Sequence, residues 1–528
     1  MIPDHHLITW LTFVPLIGAA VILMLRKEAA GWIKLIAMAT ALVAFAMVCH
    51  LGVNFQPLSG RMQFEQKALW IPTMNVWYHV GVDGISILLV ILTAIVVPLA
   101  ILASWSVKDN VRMYFALILA QETGVIGAFT ALDFFHWFIY WELSLVPAFF
   151  LIKMWGGERA HKAATKFFIF TLVGSVTMLL AFQAIYLATG TFSFEELAAL
   201  GRSGELADRL SHLTSQAGLD WDVGTTTMLA LGGILLAFVV KAPLWPFHTW
   251  LPETYAEAPA PISMLLTALM SKLGVYGVLR IVVPIFPQYT ASIAEAVLLL
   301  VVATIVLGAF AAYAQTDLKR MIAYSSVNHV GYCMLGIFAA LALPVGEKPS
   351  VELRADQAAA LNGAILQMFN HGITAAALFF FLGVLEERTR QRGLDDFGGL
   401  RQVAPIFCGL FGITLFASLG LPGLNGFVSE FLIFKGVLAL NKVAAAVSLI
   451  GIVVTALFLL LIMQRVWWGP LNERHAKLGD LTGREEIIAM SFVAIMVFVG
   501  LNPWPFINMS DATVGELVRF AFQIKHAN

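Results

Sequence analysis

Residues 239–252 read VVKAPLWPFHTWLP, and residues 418–431 read SLGLPGLNGFVSEF. Each stretch lies inside a long apolar run and interrupts it. Pro243 and Pro246 remove two backbone donors three residues apart, and the helix that loses those donors is left with unpaired carbonyls. At membrane depth such carbonyls are tolerated only against protein or a water-filled cavity. The two stretches therefore point to a polar interior within an apolar protein.

The composition agrees. Of 528 residues 59% are apolar, 12% aromatic and only 12% charged, about half the usual charged share of roughly 25%. A mean hydropathy of +0.84 identifies a polytopic membrane protein. It excludes a soluble enzyme, a secreted disulfide scaffold and a disordered regulator. A formal net charge of −1 and a pI near 6.9 offer no basic patch for nucleic acid. Cys49, Cys333 and Cys408 stand far apart in apolar runs, which reads as buried inert thiols and supports neither an iron–sulfur cluster nor a zinc site. Asp4, His5 and His6 precede the first apolar run, and Arg26 and Lys27 follow it. That order predicts a retained helix, not a cleaved signal peptide.

A span needs about 20 mostly apolar residues. Fourteen runs qualify: 7–25, 32–52, 84–105, 113–132, 134–153, 165–189, 225–245, 260–283, 295–315, 321–343, 359–385, 404–437, 444–468 and 486–506. The run 404–437 is too long for one regular span. Nineteen of the 32 Lys and Arg residues fall in loops after odd-numbered spans, among them Lys153, Arg159, Lys319, Arg388 and Arg392. The positive-inside rule then places those loops in the cytoplasm and both termini in the periplasm. The loop from Thr191 to Asp222 is net acidic and predicts an external lid with an amphipathic helix at Phe194–Leu213.

The expected fold is all-α with about 14 transmembrane helices. Spans four to eight and nine to thirteen each form a five-helix set whose fourth helix is broken. Five is odd, so the second set is inverted relative to the first, and paired broken helices in inverted repeats mark an ion path. The corresponding units are residues 1–110, the first repeat 113–284 (break 241–252), the second repeat 295–468 (break 418–431), and a last helix with tail at 484–528.

Ionisable groups inside spans are costly and point to function. Glu142 lies mid-helix, and Lys241 directly precedes the first break. Lys272 lies about twelve residues into its span, too deep to snorkel easily to the interface. Glu430 follows the second break, and His329 and His371 each occupy a helix of the second repeat. Glu122 is either a proton-uptake group or a helix-packing contact. His248 is placed to link Lys241 to the cytoplasm, whereas Asp83 and Asp133 read as helix caps. Buried lysines, carboxylates and histidines together suit proton movement, because small changes in pairing load or release a proton. Within the spans no pair of histidines or carboxylates has the i, i+3 or i, i+4 spacing of a helical metal site.

The stretches FIYWELSLVPAFFLIKMWGG, FVVKAPLWPFHTWLPETYAEAP, SKLGVYGVLR, DLKRMIAYSSVNHVGY, FNHGITAAALFFFLG and GLPGLNGFVSEF resemble the antiporter-like membrane subunits of respiratory complex I. The likeness runs in order from Val82 to Phe434. Glu430, where other branches carry lysine, is similar to the subunit M (subunit 4) branch of NADH-quinone oxidoreductase. The resemblance implies a proton-translocating subunit of that enzyme in a bacterial inner membrane. Glu142 would pair with Lys241, Lys272 would act as central relay, His329 and His371 as connectors, and Glu430 as the terminal carboxylate. It further implies other membrane-arm subunits as partners, no cofactor in this chain, and NADH, flavin, iron–sulfur clusters and quinone in the partner subunits. Two rival readings use the same fold: a subunit of a multi-subunit Na⁺/H⁺ antiporter, and the membrane arm of a hydrogenase or formate-linked complex. One departure stands out. After WLP the family pattern is Asp-Ala-His, whereas this chain has Glu253, Thr254 and Tyr255, which puts the cytoplasmic uptake route near the first break in question.

Overall fold

The computed structural model describes residues 6–342 and 350–523, and the structural statements below refer to these. Asp4, His5, residue 343 of the tenth expected span and the tail beyond 523 lie outside them. All fourteen apolar runs contain helix. They correspond to α1 (Leu7–Met24), α2 (Ala30–Asn54), α3 (Ile87–Ala103), α4 (Val111–Thr130), α5 (Phe134–Trp155), α6 (Ala160–Thr189), α9 (Val223–Lys241) and α11 (Ala260–Ile285). In the second half they are α12 (Pro287–Tyr313), α13 (Leu318–Leu341), α14 (Val351–Thr389), the pair α15 (Pro405–Leu419) and α16 (Asn425–Leu440), α17 (Lys442–Ile462) and α18 (Gly483–Leu501). The other helices are α7 (Phe194–Ser203) and α8 (Glu205–Gln216), α10 (Trp250–Glu257) and α19 (Trp504–Gln523).

Eleven of the described helices are long and apolar enough to cross a membrane, or twelve if α18 and α19, bent by 66°, count as one span. The expected fourteen exceeds this for two physical reasons. Helix α13 carries Lys319, Arg320, Asn328 and His329, which lower its hydropathy, and α15 and α16 are each too short alone. Helix α14 has 39 residues and is about 58 Å long at 1.5 Å per residue, well beyond a hydrocarbon core of about 30 Å. It packs against α13, α16 and α3 at the centre of the bundle.

An antiparallel hairpin accompanies the otherwise helical fold. Strand β1 (Gln63–Ile71) pairs with β2 (Val76–Val82), with Lys67 opposite His79 and Leu69 opposite Trp77. Strands of this length escape a hydropathy window of about 20 residues, although VWYHVGV is rich in the β-branched and aromatic residues that strands favour. The expected amphipathic helix at Phe194–Leu213 is two helices, split at Gly204, whose φ of 80° suits glycine. Cys49 is exposed, a further correction, because it lies on the outward face of α2; Cys333 and Cys408 are buried.

Both breaks form where the proline and glycine pattern requires. Helix α9 ends at Lys241, and regular helix resumes only at Trp250. Helix α15 ends at Leu419 and is capped by Gly420, φ 79°, and Gly423, φ 94°, precedes the restart at Asn425. The first break presses directly on α11. A Cβ added to Gly274 would lie 2.6 Å from the Ala242 backbone nitrogen, so only glycine permits this approach. Helix α11 itself contains two π-helical turns, Leu266–Met270 and Val278–Val282, a distortion common at functional sites.

Candidate proton-transfer site

Lys241 is the last residue of α9 and is 1% exposed, where the helix dipole favours a cation. Its Nζ lies 3.6 Å from the centroid of the Trp141 ring and donates to Ser144 Oγ at 3.4 Å. Glu142, one residue after Trp141, makes no ion pair with it, and Glu142 Oε1 has no hydrogen-bond partner. The expected Glu142–Lys241 pair is therefore not a direct contact. Lys241 lies against the Trp141 face, where cation–π attraction is favourable.

The second half is connected. Lys272 is fully buried on α11, and its Nζ lies 2.6 Å from His371 Nδ1 and donates to the Thr267 carbonyl at 2.6 Å. The π-helical turn at Leu266–Met270 presents that carbonyl. The His371 ring stacks on His329 with centroids 5.3 Å apart and planes 28° from parallel. His329 Nδ1 is 3.1 Å from Glu430 Oε1, and its Nε2 is 3.3 Å from Ser418 Oγ. Lys272, His371, His329 and Glu430 thus form one line of buried ionisable groups across α11, α14, α13 and α16.

Amides and hydroxyls surround the end of this line, and sequence reasoning missed them. Gln367 donates to Glu430 Oε1 at 3.5 Å and accepts from Ser429 Oγ at 2.5 Å. Asn370 Nδ2 donates to the Asn425 carbonyl at 2.7 Å, and Asn425 Nδ2 returns the bond to the Asn370 carbonyl at 3.1 Å. That reciprocal pair ties the middle of α14 to the first residue of α16, where the second broken helix restarts. The available signal was the stripe Gln367, Asn370, His371 and Thr374, which lies on one helical face by its i, i+3, i+4, i+7 spacing.

Glu122 is fully buried on α4 with neither carboxylate oxygen bonded, and neighbouring Gln121 and Thr123 also have side-chain atoms without partners. Three consecutive unpaired polar side chains call for an internal polar environment. His248 is partly buried in the first break, its Nδ1 without a partner and its ring 6.2 Å from Tyr324. Neither residue hydrogen-bonds to the Lys272–Glu430 line. Asp133 caps α5 by accepting from the backbone nitrogens of Phe135 and His136, and burial raises its carboxyl to about 6. Asp83 does more than cap: it accepts from Ile85 and Ser86 nitrogens and also forms an ion pair with Arg280. His136 lies buried between Tyr78 and Tyr140, with ring centroids at 4.7 and 4.8 Å.

Tyr255, where the family pattern has histidine, is fully buried and donates to the Leu266 carbonyl at 3.0 Å. Its neighbour Glu253 points away and pairs with Lys166 at 3.2 Å. Beyond them lies a charged bowl of about 560 Å³ lined by Arg159, Glu253, Glu257, Asp317, Glu386 and Arg392, among others. Arg392 holds Glu257 at 2.9 Å and Asp317 at 2.7 Å, and Lys319 holds Glu386 at 2.6 Å. Burial works to raise the Glu257 carboxyl, but Arg392 and the Arg159 backbone N–H bonded to it hold it below its ordinary value. Among the described residues no three His, Cys, Asp or Glu side chains gather as a metal site would require.

Over residues 131–347 and 349–458 the chain matches the family described as NADH:quinone oxidoreductase/Mrp antiporter, transmembrane. NADH-quinone oxidoreductase subunit M of Rhodobacter capsulatus is 35% identical over 523 residues, covering 98% of this chain and 97% of the relative. NAD(P)H-quinone oxidoreductase chain 4 2 of Thermosynechococcus vestitus is 34% identical, covering 97% and 92%. Among solved structures, a chain of respiratory complex I from Thermus thermophilus superposes with a TM-score of 0.82 at 26% identity, covering 97% and 99%. A chain of the Mrp complex from Dietzia shares the fold, with a TM-score of 0.80 at 20% identity and 99% coverage of each.

Proposed function

Because the chain belongs to the NADH:quinone oxidoreductase/Mrp antiporter membrane family, within its subunit M branch, we propose that it carries protons through the membrane arm of an NADH-quinone oxidoreductase. Electron transfer from NADH to quinone in partner subunits drives that movement. The observation that carries this reading is the buried line Lys272–His371–His329–Glu430, with contacts of 2.6 Å at one end and 3.1 Å at the other. Each contact lies within the reach of a single proton transfer. The stacked imidazoles between them transfer a proton when a ring turns or a water bridges the gap.

Lys241 and Glu142 form the first half of the path, with Glu122 and His248 as groups of the uptake side. With Lys241 on the Trp141 face, this half is open while the second half is closed. A side-chain swing that brings Lys241 to Glu142 passes charge toward Lys272. The two five-helix sets, 113–284 and 295–468, are the inverted units that hold the two halves. The charged bowl faces the cytoplasm and both termini face the periplasm, as the bias of Lys and Arg requires. The chain functions in a bacterial inner membrane beside other antiporter-like subunits and leaves the redox centres to its partners.

The Mrp-type fold neighbour keeps Na⁺/H⁺ exchange as the rival reading. Inverted membrane vesicles from the native host separate the two. The proposal expects NADH to acidify the lumen equally with and without sodium, and Lys241→Met to reduce that acidification while NADH–ferricyanide activity persists. Proton movement that responds only to an imposed sodium gradient would install the antiporter reading instead.

A further inference from the structure

Helix α10 borders the charged bowl on one side and the helix of the central lysine on the other. Glu253, Ala256 and Glu257 line the bowl, whereas Tyr255 between them is fully buried. Its phenol reaches the first π-helical turn of α11, Leu266–Met270, and donates to the Leu266 carbonyl at 3.0 Å. Lys272 Nζ donates to the next carbonyl of the same turn, Thr267, at 2.6 Å. The Tyr255 side chain is therefore the layer between the bowl and the start of the buried line.

The polar groups in this layer give a proton no way through. The Ser271 hydroxyl interacts with that of Tyr255 and accepts from Lys272 at 3.4 Å, but it donates to the Thr267 carbonyl at 3.1 Å. Both hydroxyl protons are thus committed to backbone carbonyls, which accept hydrogen bonds and have no proton to pass on. The carboxylates on either side of Tyr255 are held toward the bowl, Glu253 by Lys166 at 3.2 Å and Glu257 by Arg392 at 2.9 Å. Buried rings complete the layer: Trp250 and Phe379 meet Tyr255 edge-on, with centroids at 6.3 and 5.8 Å. Ser263 Oγ donates to the Tyr255 carbonyl at 2.8 Å and fixes α10 to the start of α11.

We propose that Tyr255 is a seal, which closes direct passage from the charged bowl to Lys272 and leaves Lys241 as the supplier of the buried line. A central lysine open to the cytoplasm would return its proton there instead of passing it to His371. The seal removes that return and makes the first half of the path obligatory. The inference rests on the proton-carrying reading above and on its assignment of the bowl to the cytoplasm.

Rescue of a blocked first half tests it. The readout is the initial rate of NADH-driven acidification in inverted vesicles, with NADH–ferricyanide activity as the assembly control. Lys241→Met alone slows that rate about tenfold or more, as loss of a positioned proton carrier does. Adding Tyr255→His replaces the phenol by a smaller ring that accepts a proton at one nitrogen and donates from the other. The space left beside it admits water. The double variant is expected to recover about tenfold over Lys241→Met, the loss regained. An assembled double variant that stays at the Lys241→Met rate overturns the seal. Should the double variant fail to assemble, Tyr255→Phe decides, because it keeps the ring and removes only the hydroxyl. A seal leaves the initial rate of Tyr255→Phe unchanged, whereas a loss of about tenfold or more would show that the hydroxyl relays protons and would overturn the proposal. Lys241→Met at the wild-type rate, or wild-type vesicles without NADH-driven acidification, overturns the proton-carrying reading instead, and the inference falls with it.

Discussion

Replacing His371 isolates the link between the central lysine and the terminal carboxylate. Its Nδ1 is 2.6 Å from Lys272 Nζ, and its ring faces His329 at 5.3 Å between centroids. Without the ring, Lys272 retains only the Thr267 carbonyl at 2.6 Å and Ser271 Oγ at 3.4 Å, and neither leads to His329. The remaining gap exceeds the reach of about 3.2 Å for direct proton transfer. His371→Leu fills that gap with an apolar side chain of similar bulk and admits no water. Loss of one positioned proton carrier slows transfer by about 10²–10⁴-fold, equivalent to about 2.7–5.4 kcal/mol on the barrier. His371→Ala leaves a hole that holds a water, whose share of liquid volume is about 30 Å³, so it is predicted to be less damaging than leucine despite removing more atoms. The lost hydrogen bond to a charged group costs about 1.5–3 kcal/mol of stability, in part recovered by the two remaining acceptors. The assay is NADH-driven acidification of inverted vesicles, with NADH–ferricyanide activity reporting assembly. An assembled His371→Leu variant that acidifies at the wild-type rate, or an alanine variant worse than leucine at equal assembly, would refute the reasoning.

Further consequences follow from the contacts. Glu430→Gln keeps an acceptor for His329 and Gln367 but loses the charge, so it assembles normally and pumps poorly. Glu430→Ala orphans both partners and also lowers the assembled fraction, read from ferricyanide activity per milligram of membrane. Gly124→Val drives a side chain into α5, because a Cβ there already meets the Ser144 nitrogen at 2.6 Å. Overpacking of about 1–3 kcal/mol will reduce thermal stability and disturb Ser144, the hydrogen-bond partner of Lys241. For the Glu257–Arg392 pair the sign is set by a lowered carboxyl. Its stabilisation is complete above the ordinary carboxylate pKa and is lost as pH falls through the lowered value in the folded state. Wild type should therefore exceed Glu257→Gln in melting temperature at pH 7, with the difference closing below about pH 4.

Much of the scaffold was legible because each span announces itself by hydropathy and each break by proline or glycine. Lys272, His329, His371 and Glu430 were legible for the same reason, as ionisable groups in apolar runs. Their order of contact was not, since residues as distant as 272 and 371 meet only through packing. Gln367, Asn370 and Asn425 escaped notice because, being uncharged, they do not stand out as ionisable groups in apolar runs, although they tie α14 to the restart of the second broken helix. The Glu142–Lys241 pair was expected from resemblance, but rotamer choice sets Lys241 on Trp141, and no sequence pattern specifies a rotamer. Asp83 looked like a cap because its local bonds are those of a cap; its ion pair with Arg280, 197 residues away, has no local signature.

The central claim is that protons cross through the buried line that begins at Lys272. The most direct test is the ratio of protons moved to electrons transferred by the purified complex in liposomes, wild type against Lys272→Met. The account predicts a lower ratio, or a matched loss of proton movement and quinone reduction, with NADH–ferricyanide activity intact. An assembled Lys272→Met complex that keeps both the wild-type ratio and the wild-type turnover would contradict it.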